Sequence, residues 1–152
     1  MLFRTHLVFG FLIALLFIKL FDINNQILSV ILILFFSVFP DIDRQSSKIG
    51  KKFKFTSKLI NFLFGHRGFL HSIFVPLLLF LSLLIIKQDI LARAVLIGYS
   101  SHLLLDGLTI SGIRPLHPIK KKFRGFVKVG SLIEDFLFVA FLITAIYLLI
   151  QL

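Results

Sequence analysis

The sequence predicts an all-α fold, a polytopic helical membrane bundle of about five spans with a basic amphipathic interfacial helix. Of its 152 residues, 58% are hydrophobic, and the mean hydropathy is +1.01. Soluble domains average about 45–50% apolar residues, and the excess here is concentrated in blocks rather than spread evenly. The length suits one domain, so residues 1–152 are expected to form a single integral membrane domain.

Five apolar blocks predict the membrane spans. They cover residues 7–20, 23–39, 69–86, 90–108 and 134–152. A helix needs about 20 residues to cross the hydrocarbon core, so the first two must include polar flanks or lie where the bilayer thins. Arg4 precedes the first block as in a signal peptide, but no small-residue cleavage site follows Lys19. We therefore expect the first block to be retained as a span.

The basic residues predict the orientation and the nearest partner. The net charge is +10, and 14 of the 17 Lys and Arg residues fall at Arg4 or within residues 44–67 and 114–128. The positive-inside rule then gives a multi-pass protein of the cytoplasmic (inner) membrane, with its N-terminus inside and its C-terminus outside. Residues 51–64 have one basic and one apolar face, which predicts an interfacial helix that contacts anionic lipid headgroups. A simpler interpretation, compatible with the first, is that this helix caps the cytoplasmic helix ends. No nucleic-acid-binding module is present, so no nucleic acid is expected as a partner.

All five histidines and most acidic residues map to this same cytoplasmic face. The chain has no cysteine, so any metal must be bound by imidazole, carboxylate and water. His102 and Asp106 are four residues apart, which puts both on one helix face; taken alone, the pair is better explained as a His–Asp hydrogen bond that caps the helix end. A turn would let His66 and His71 converge, and Asp41 and Asp43 could instead form an Asx-type turn. Their convergence favours a divalent metal site.

Three motifs resemble those of a known family. They are PDID at residues 40–43, FGHRGFLHS at 64–72 and the SHLLLDGLT run within 98–112. With them the chain resembles the YdjM-like family of predicted membrane-bound metal-dependent hydrolases, which implies a small multi-span inner-membrane protein with a His/Asp metal site. That family is distantly similar to zinc-dependent phospholipases C, whose HxxxD pair corresponds to His102 and Asp106. The chain departs from the family pattern at Leu70, where a threonine is expected, and at Arg44, where some members have a histidine.

These observations predict a membrane-bound metal-dependent hydrolase that cleaves a lipid or lipid-linked phosphoester through metal-activated water, with zinc as the favoured ion. The predicted metal ligands are His6, Asp41, Asp43, His66, His71, His102 and Asp106. Glu134 is the predicted base or further ligand, and Arg67 is predicted to bind the phosphate or stabilise developing charge. Two alternatives are a metal transporter, which needs ligands at the membrane midplane, and a non-enzymatic metal-binding or regulatory membrane protein. The almost purely apolar outer halves of the spans disfavour transport.

Overall fold

The computed structural model describes residues 1–21, 25–43, 69–119 and 121–152. The described residues form five α-helices and two short 3-10 helices, Phe39–Asp43 and Phe69–His71. The α-helices are α1 (Phe3–Leu20), α2 (Gln26–Val38), α3 (Phe74–Ile85), α4 (Asp89–Gly107) and α5 (Leu132–Ile150). Only isolated β-bridges occur in this part of the chain, so the all-α prediction is confirmed. The predicted interfacial helix, residues 51–64, lies outside the described residues.

Length and apolar composition together separate α1 and α5 from the other three helices. Two of them, α1 and α5, are long and apolar enough to cross a membrane. By contrast, α2 has 13 residues and α3 has 12, against the roughly 20 that a straight crossing needs. The 19 residues of α4 include Arg93, His102 and Asp106. The five predicted segments are therefore helical, whereas the number that span the bilayer stays a prediction.

The third helix begins later than the sequence predicts. The expected span starts at residue 69, but α3 begins at Phe74 and His71 lies in the preceding 3-10 helix. The backbone N–H of Ile73 donates to the carbonyl of Pro115, at 2.9 Å, where the chain turns into α3. Pro76 then lies in the first turn of α3, where its missing N–H removes no helical hydrogen bond. His71 is thus held on a turn next to α4.

Close helix packing brings α1, α2 and α4 together. A Cβ added to Gly98 on α4 would overlap the carbonyl oxygen of Ile33 on α2, and one added to Gly10 on α1 would overlap the side chain of Ser37. Small residues permit such close backbone approach between membrane helices. Ala14, Ile33 and Ala94 form a buried cluster at the same junction. The spacing of these three helices therefore depends on residues without bulky side chains.

The connection between α4 and α5, here called the 108–127 loop, folds back on itself. Ile113 and Phe123 exchange two backbone hydrogen bonds of 2.9 Å, and Val127 donates to the carbonyl of Leu108 at 3.0 Å. The hydroxyl of Thr109 donates to the carbonyl of Asp106 at 2.7 Å. The loop is consequently tied to the end of α4 that bears His102 and Asp106.

Candidate metal centre

Five of the predicted ligands converge on one buried point. They are His6 of α1, Asp41 and His71 of the two 3-10 helices, and His102 and Asp106 of α4. None of these residues is more than 8% exposed. They form two overlapping groups, His6–His102–Asp106 and Asp41–His71–His102, and within each group the ligand atoms lie within 4.8 Å of one another. His102 is common to both groups.

The distances between ligand atoms are short enough for a shared ion. His102 Nε2 lies 3.3 Å from His71 Nε2, and His6 Nε2 lies 3.3 Å from Asp106 Oδ1. The other carboxylate oxygen, Oδ2, is 3.6 Å from His71 Nε2 and 3.9 Å from His102 Nε2. A tetrahedral zinc with bonds of about 2.0–2.1 Å separates its ligand atoms by roughly 3.3–3.4 Å. The donor atoms therefore fit a divalent ion with only small adjustments.

Asp106 links the two groups. Its Oδ1 faces His6, whereas its Oδ2 faces His71 and His102. A carboxylate that presents its two oxygens to different histidines has the arrangement needed to bridge two ions, which lie about 3.5–4 Å apart in two-metal sites. The geometry is thus compatible with one ion or with a bridged pair.

The orientation of His102 is set by a backbone contact. Its Nδ1 lies 2.9 Å from the carbonyl oxygen of Ser37 on α2. Because a carbonyl only accepts, Nδ1 bears the proton and Nε2 keeps its lone pair toward the other ligands. A hydrogen bond of this kind fixes the tautomer of metal-binding histidines. Sequence analysis missed Ser37, because the contact uses its backbone carbonyl, which leaves no signal in the residue type.

His6 adds a candidate ligand from α1 to the centre. Its ring stacks on His102, with centroids 4.0 Å apart and planes 13° apart. Among the described residues its buried Nδ1 has no hydrogen-bond partner, a condition that costs about 1–3 kcal/mol. The α-amino group of Met1 forms a buried ion pair with Asp106. This amino group contacts Oδ1, the same carboxylate oxygen that faces His6.

Tyr99 supports His71 from α4. The buried Tyr99 hydroxyl donates to the carbonyl of Leu70 at 2.6 Å, next to His71 in the 3-10 helix. Tyr99 precedes His102 by one helical turn, so α4 provides two candidate ligands and also positions a third, His71. Tyr99 falls inside a motif that sequence analysis singled out, but no role was predicted for it.

Glu134 lies in neither metal group. Its buried carboxylate accepts three hydrogen bonds: Oε1 from the Leu2 N–H (2.6 Å) and the Thr5 hydroxyl (3.0 Å), and Oε2 from the Gly130 N–H (2.7 Å). An acidic side chain near a helix N-terminus interacts favourably with the helix dipole. Glu134 lies in the first turn of α5 and also accepts hydrogen bonds from the start of α1. The contacts indicate that Glu134 anchors the segment that bears His6. Its predicted role as base or ligand stays a prediction.

Comparison with known proteins identifies the family of this chain. A family model described as YdjM inner membrane protein matches residues 1–152. The chain belongs to this family. It is 34% identical over 114 residues to the uncharacterized protein YvsG of Bacillus subtilis strain 168, a match that covers 73% of this chain and 71% of that protein. It is 35% identical over 119 residues to the inner membrane protein YdjM of Escherichia coli strain K12, covering 72% of this chain.

The match spans 60% of the length of the Escherichia coli YdjM protein, and the Shigella flexneri YdjM gives the same values. No solved structure matches the chain significantly. Membership of the YdjM family confirms the resemblance seen in the motifs and assigns the chain to an inner-membrane family. It leaves the number of spans and the orientation as predictions.

Three predicted site residues of this YdjM family member remain without described side chains. His66 and Arg67 lie outside the described residues, and Asp43 ends the first 3-10 helix with a side chain that is not described. Their proposed roles as ligands and as phosphate-binding residue rest on the sequence alone.

Proposed function

We propose that the chain is a membrane-bound metal-dependent hydrolase that cleaves a phosphoester of a lipid or lipid-linked substrate at the cytoplasmic face. The main support is the buried cluster in which two Nε2 atoms, from His71 and His102, lie 3.3 Å apart and face Asp106. Buried histidines and carboxylates at such spacing form the usual donor set of hydrolytic metal sites. The proposal includes a multi-pass arrangement with the N-terminus inside.

The ligand set favours zinc. The proposed ligands among the described residues are His6, Asp41, His71, His102 and Asp106, and the sequence adds His66 and Asp43. Imidazole nitrogens with carboxylate oxygens suit zinc in hydrolytic sites. When bound, a divalent cation supplies Lewis-acid activation of water and of a phosphoryl oxygen.

The protein residues then have separate tasks. Ser37 holds the His102 imidazole in the tautomer with Nε2 available, and Asp106 offers two oxygens to the cluster. Asp41 is 8% exposed whereas His71 and His102 are fully buried, so Asp41 is the most exposed of the described ligand candidates. Arg67 is proposed to bind the substrate phosphate, since its guanidinium can make two parallel hydrogen bonds to phosphate oxygens.

The surrounding charge suits an anionic lipid substrate. The 108–127 loop, which follows Asp106 directly, exposes Arg114, Lys121 and Arg124. A basic residue near an anionic membrane surface contributes about 1 kcal/mol to its attraction. These side chains would raise the local concentration of anionic lipids beside the metal centre.

Two other functions use the same residues differently. In a non-enzymatic protein, the 3.3 Å contact of His71 with His102 would be a hydrogen bond that holds helices together without an ion. A transporter would place its ligands near the middle of its helices. Here His6 lies in the first turn of α1 and Asp106 in the last turn of α4, which disfavours transport.

Activity measurements would test the hydrolase proposal. The purified chain, loaded in turn with zinc, manganese or magnesium, is assayed against phospholipids, lipid-linked phosphates and nucleotides. We expect wild type to turn over a lipid phosphoester and Asp106→Asn to abolish this activity. The control, Asp135→Asn, alters an exposed carboxylate paired with Arg4 and should retain the activity. Arg67→Lys is expected to keep the metal and lose rate, because lysine lacks the bidentate contact. Absence of turnover in every metal-loaded sample would reject the hydrolase.

A further inference from the structure

An apolar cleft of about 510 Å³ lies beside α4, and none of the candidate metal ligands lines it. Ser100, Leu104 and Gly107 line it at helical spacing, whereas His102 and Asp106 lie at other positions around the same helix. Its volume falls within the range of about 300–1,000 Å³ that is typical of ligand sites. The cleft is therefore a site separate from the metal centre.

The 108–127 loop forms one wall of the cleft. Ile113 and Phe123 both line it, and their paired backbone hydrogen bonds hold the two side chains side by side. Gly107 makes room for this wall, because a Cβ there would lie 3.1 Å from Cδ1 of Phe123. Among the described residues, the glycine and the pairing together leave the cleft open.

The lining predicts a hydrocarbon ligand. Of the described residues that line the cleft, Ser100 alone has a polar side chain. Leu104 is 64% exposed and Phe123 is 60% exposed, so the cleft opens to the surroundings of the helix bundle. In an inner-membrane protein those surroundings are lipid, and an acyl chain is the hydrocarbon that would enter from them.

The charge beside the cleft predicts the headgroup. Arg114 follows Ile113 and Arg124 follows Phe123, and both side chains are exposed. Between Asp106 and Glu134 the sequence has six basic residues and no acidic one. Each of these two wall residues is thus followed by an exposed arginine, and a lipid phosphate at this loop would meet no acidic side chain of the loop.

We propose that the cleft binds one acyl chain of an anionic phospholipid whose phosphate contacts the basic residues of the 108–127 loop. The proposal does not depend on hydrolysis, since none of the candidate metal ligands lines the cleft. A bound lipid would stabilise the loop, and through the Thr109–Asp106 contact it would stabilise the end of α4 that bears the metal ligands.

Native mass spectrometry of the full chain, purified from vesicles with equal phosphatidylglycerol and phosphatidylcholine, tests the acyl-chain site. Wild type should retain one phosphatidylglycerol per chain. Leu104→Trp, which fills the cleft from an exposed position, should retain about tenfold less, equivalent to about 1.4 kcal/mol. Leu78→Trp is the matched control, because Leu78 is 63% exposed on α3 and does not line the cleft.

A second pair of variants tests the headgroup. Arg114→Gln combined with Arg124→Gln should abolish the preference for phosphatidylglycerol over phosphatidylcholine, while Arg93→Gln, at the other end of α4, should keep it. Thermal unfolding of each variant verifies that it folds. Equal retention by Leu104→Trp and wild type, equal retention of both lipids by wild type, or no retained lipid would overturn the proposal.

Discussion

Nδ1 of His102 lies 2.9 Å from the carbonyl oxygen of Ser37, and this contact joins α4 to the end of α2. The side chain of Ser37 also packs against Gly10 of α1, so α1, α2 and α4 meet at this residue. The orientation of the central histidine is therefore a property of the helix packing as well as of its own helix. Changes in that packing should alter metal binding from a distance.

Gly98→Val should destabilise the protein and reduce metal binding together. The new side chain would overlap the carbonyl of Ile33, push α4 from α2 and lengthen the contact between His102 and Ser37. Overpacking of this kind costs about 1–3 kcal/mol. Thermal unfolding and metal content measure the two effects. Thr144→Val, an exposed change on α5, is the control and should alter neither; a Gly98→Val protein with normal stability would contradict the packing account.

Glu134→Gln should loosen the first turn of α1. The amide would present a donor where the carboxylate now accepts from Leu2, Thr5 or Gly130, and losing one hydrogen bond to a buried charge costs about 1.5–3 kcal/mol. We expect a lower unfolding temperature and weaker metal binding through His6. Asp135→Asn should cost at most about 1 kcal/mol, because its partner Arg4 is exposed. If Glu134 is instead the base, Glu134→Gln would lose rate with its metal content and stability intact.

Local spacing predicted part of the site well. The pairing of His102 with Asp106 follows from a four-residue interval on one helix, which needs no knowledge of the fold. Their approach to His6 and His71 follows from placing those residues at the same membrane face. The structure brings all four together, although their role as ligands remains a prediction.

Contacts between helices could not be predicted in this way. The link from His102 to Ser37 and the three donors to Glu134 depend on how the helices are rotated and shifted against one another, which hydropathy does not determine. The late start of α3 depends on the long-range bond from Ile73 to Pro115. The hydropathy of residues 69–86 predicts an apolar segment but not where its helix begins.

The orientation can be tested with reporters. A reporter inserted near Lys121 should be cytoplasmic, and one fused after Leu152 should be external, because the basic residues cluster in the predicted inner loops. The enzymatic activity or fluorescence of each reporter in cells shows on which side of the membrane it lies. The reverse pattern would put the metal centre at the outer face and remove the argument for a cytoplasmic substrate.

The number of ions can be read from single variants. His6 and His71 each belong to one metal group, whereas His102 belongs to both. If Asp106, whose two oxygens face different histidines, bridges two ions, His6→Ala and His71→Ala should each lose one, and Asp106→Ala should lose both. Loss of the same single ion in all three variants would indicate a mononuclear centre.

Metal analysis of the purified protein tests the central claim most directly. After purification with zinc present and removal of free metal, wild type should retain about one to two divalent ions per chain. His102→Ala should retain fewer, and His117→Ala, which alters a histidine outside both groups, should match wild type. Wild-type protein that folds without any bound ion, or a His102→Ala variant with unchanged metal content, would contradict the metal centre and favour a network that only joins the helices.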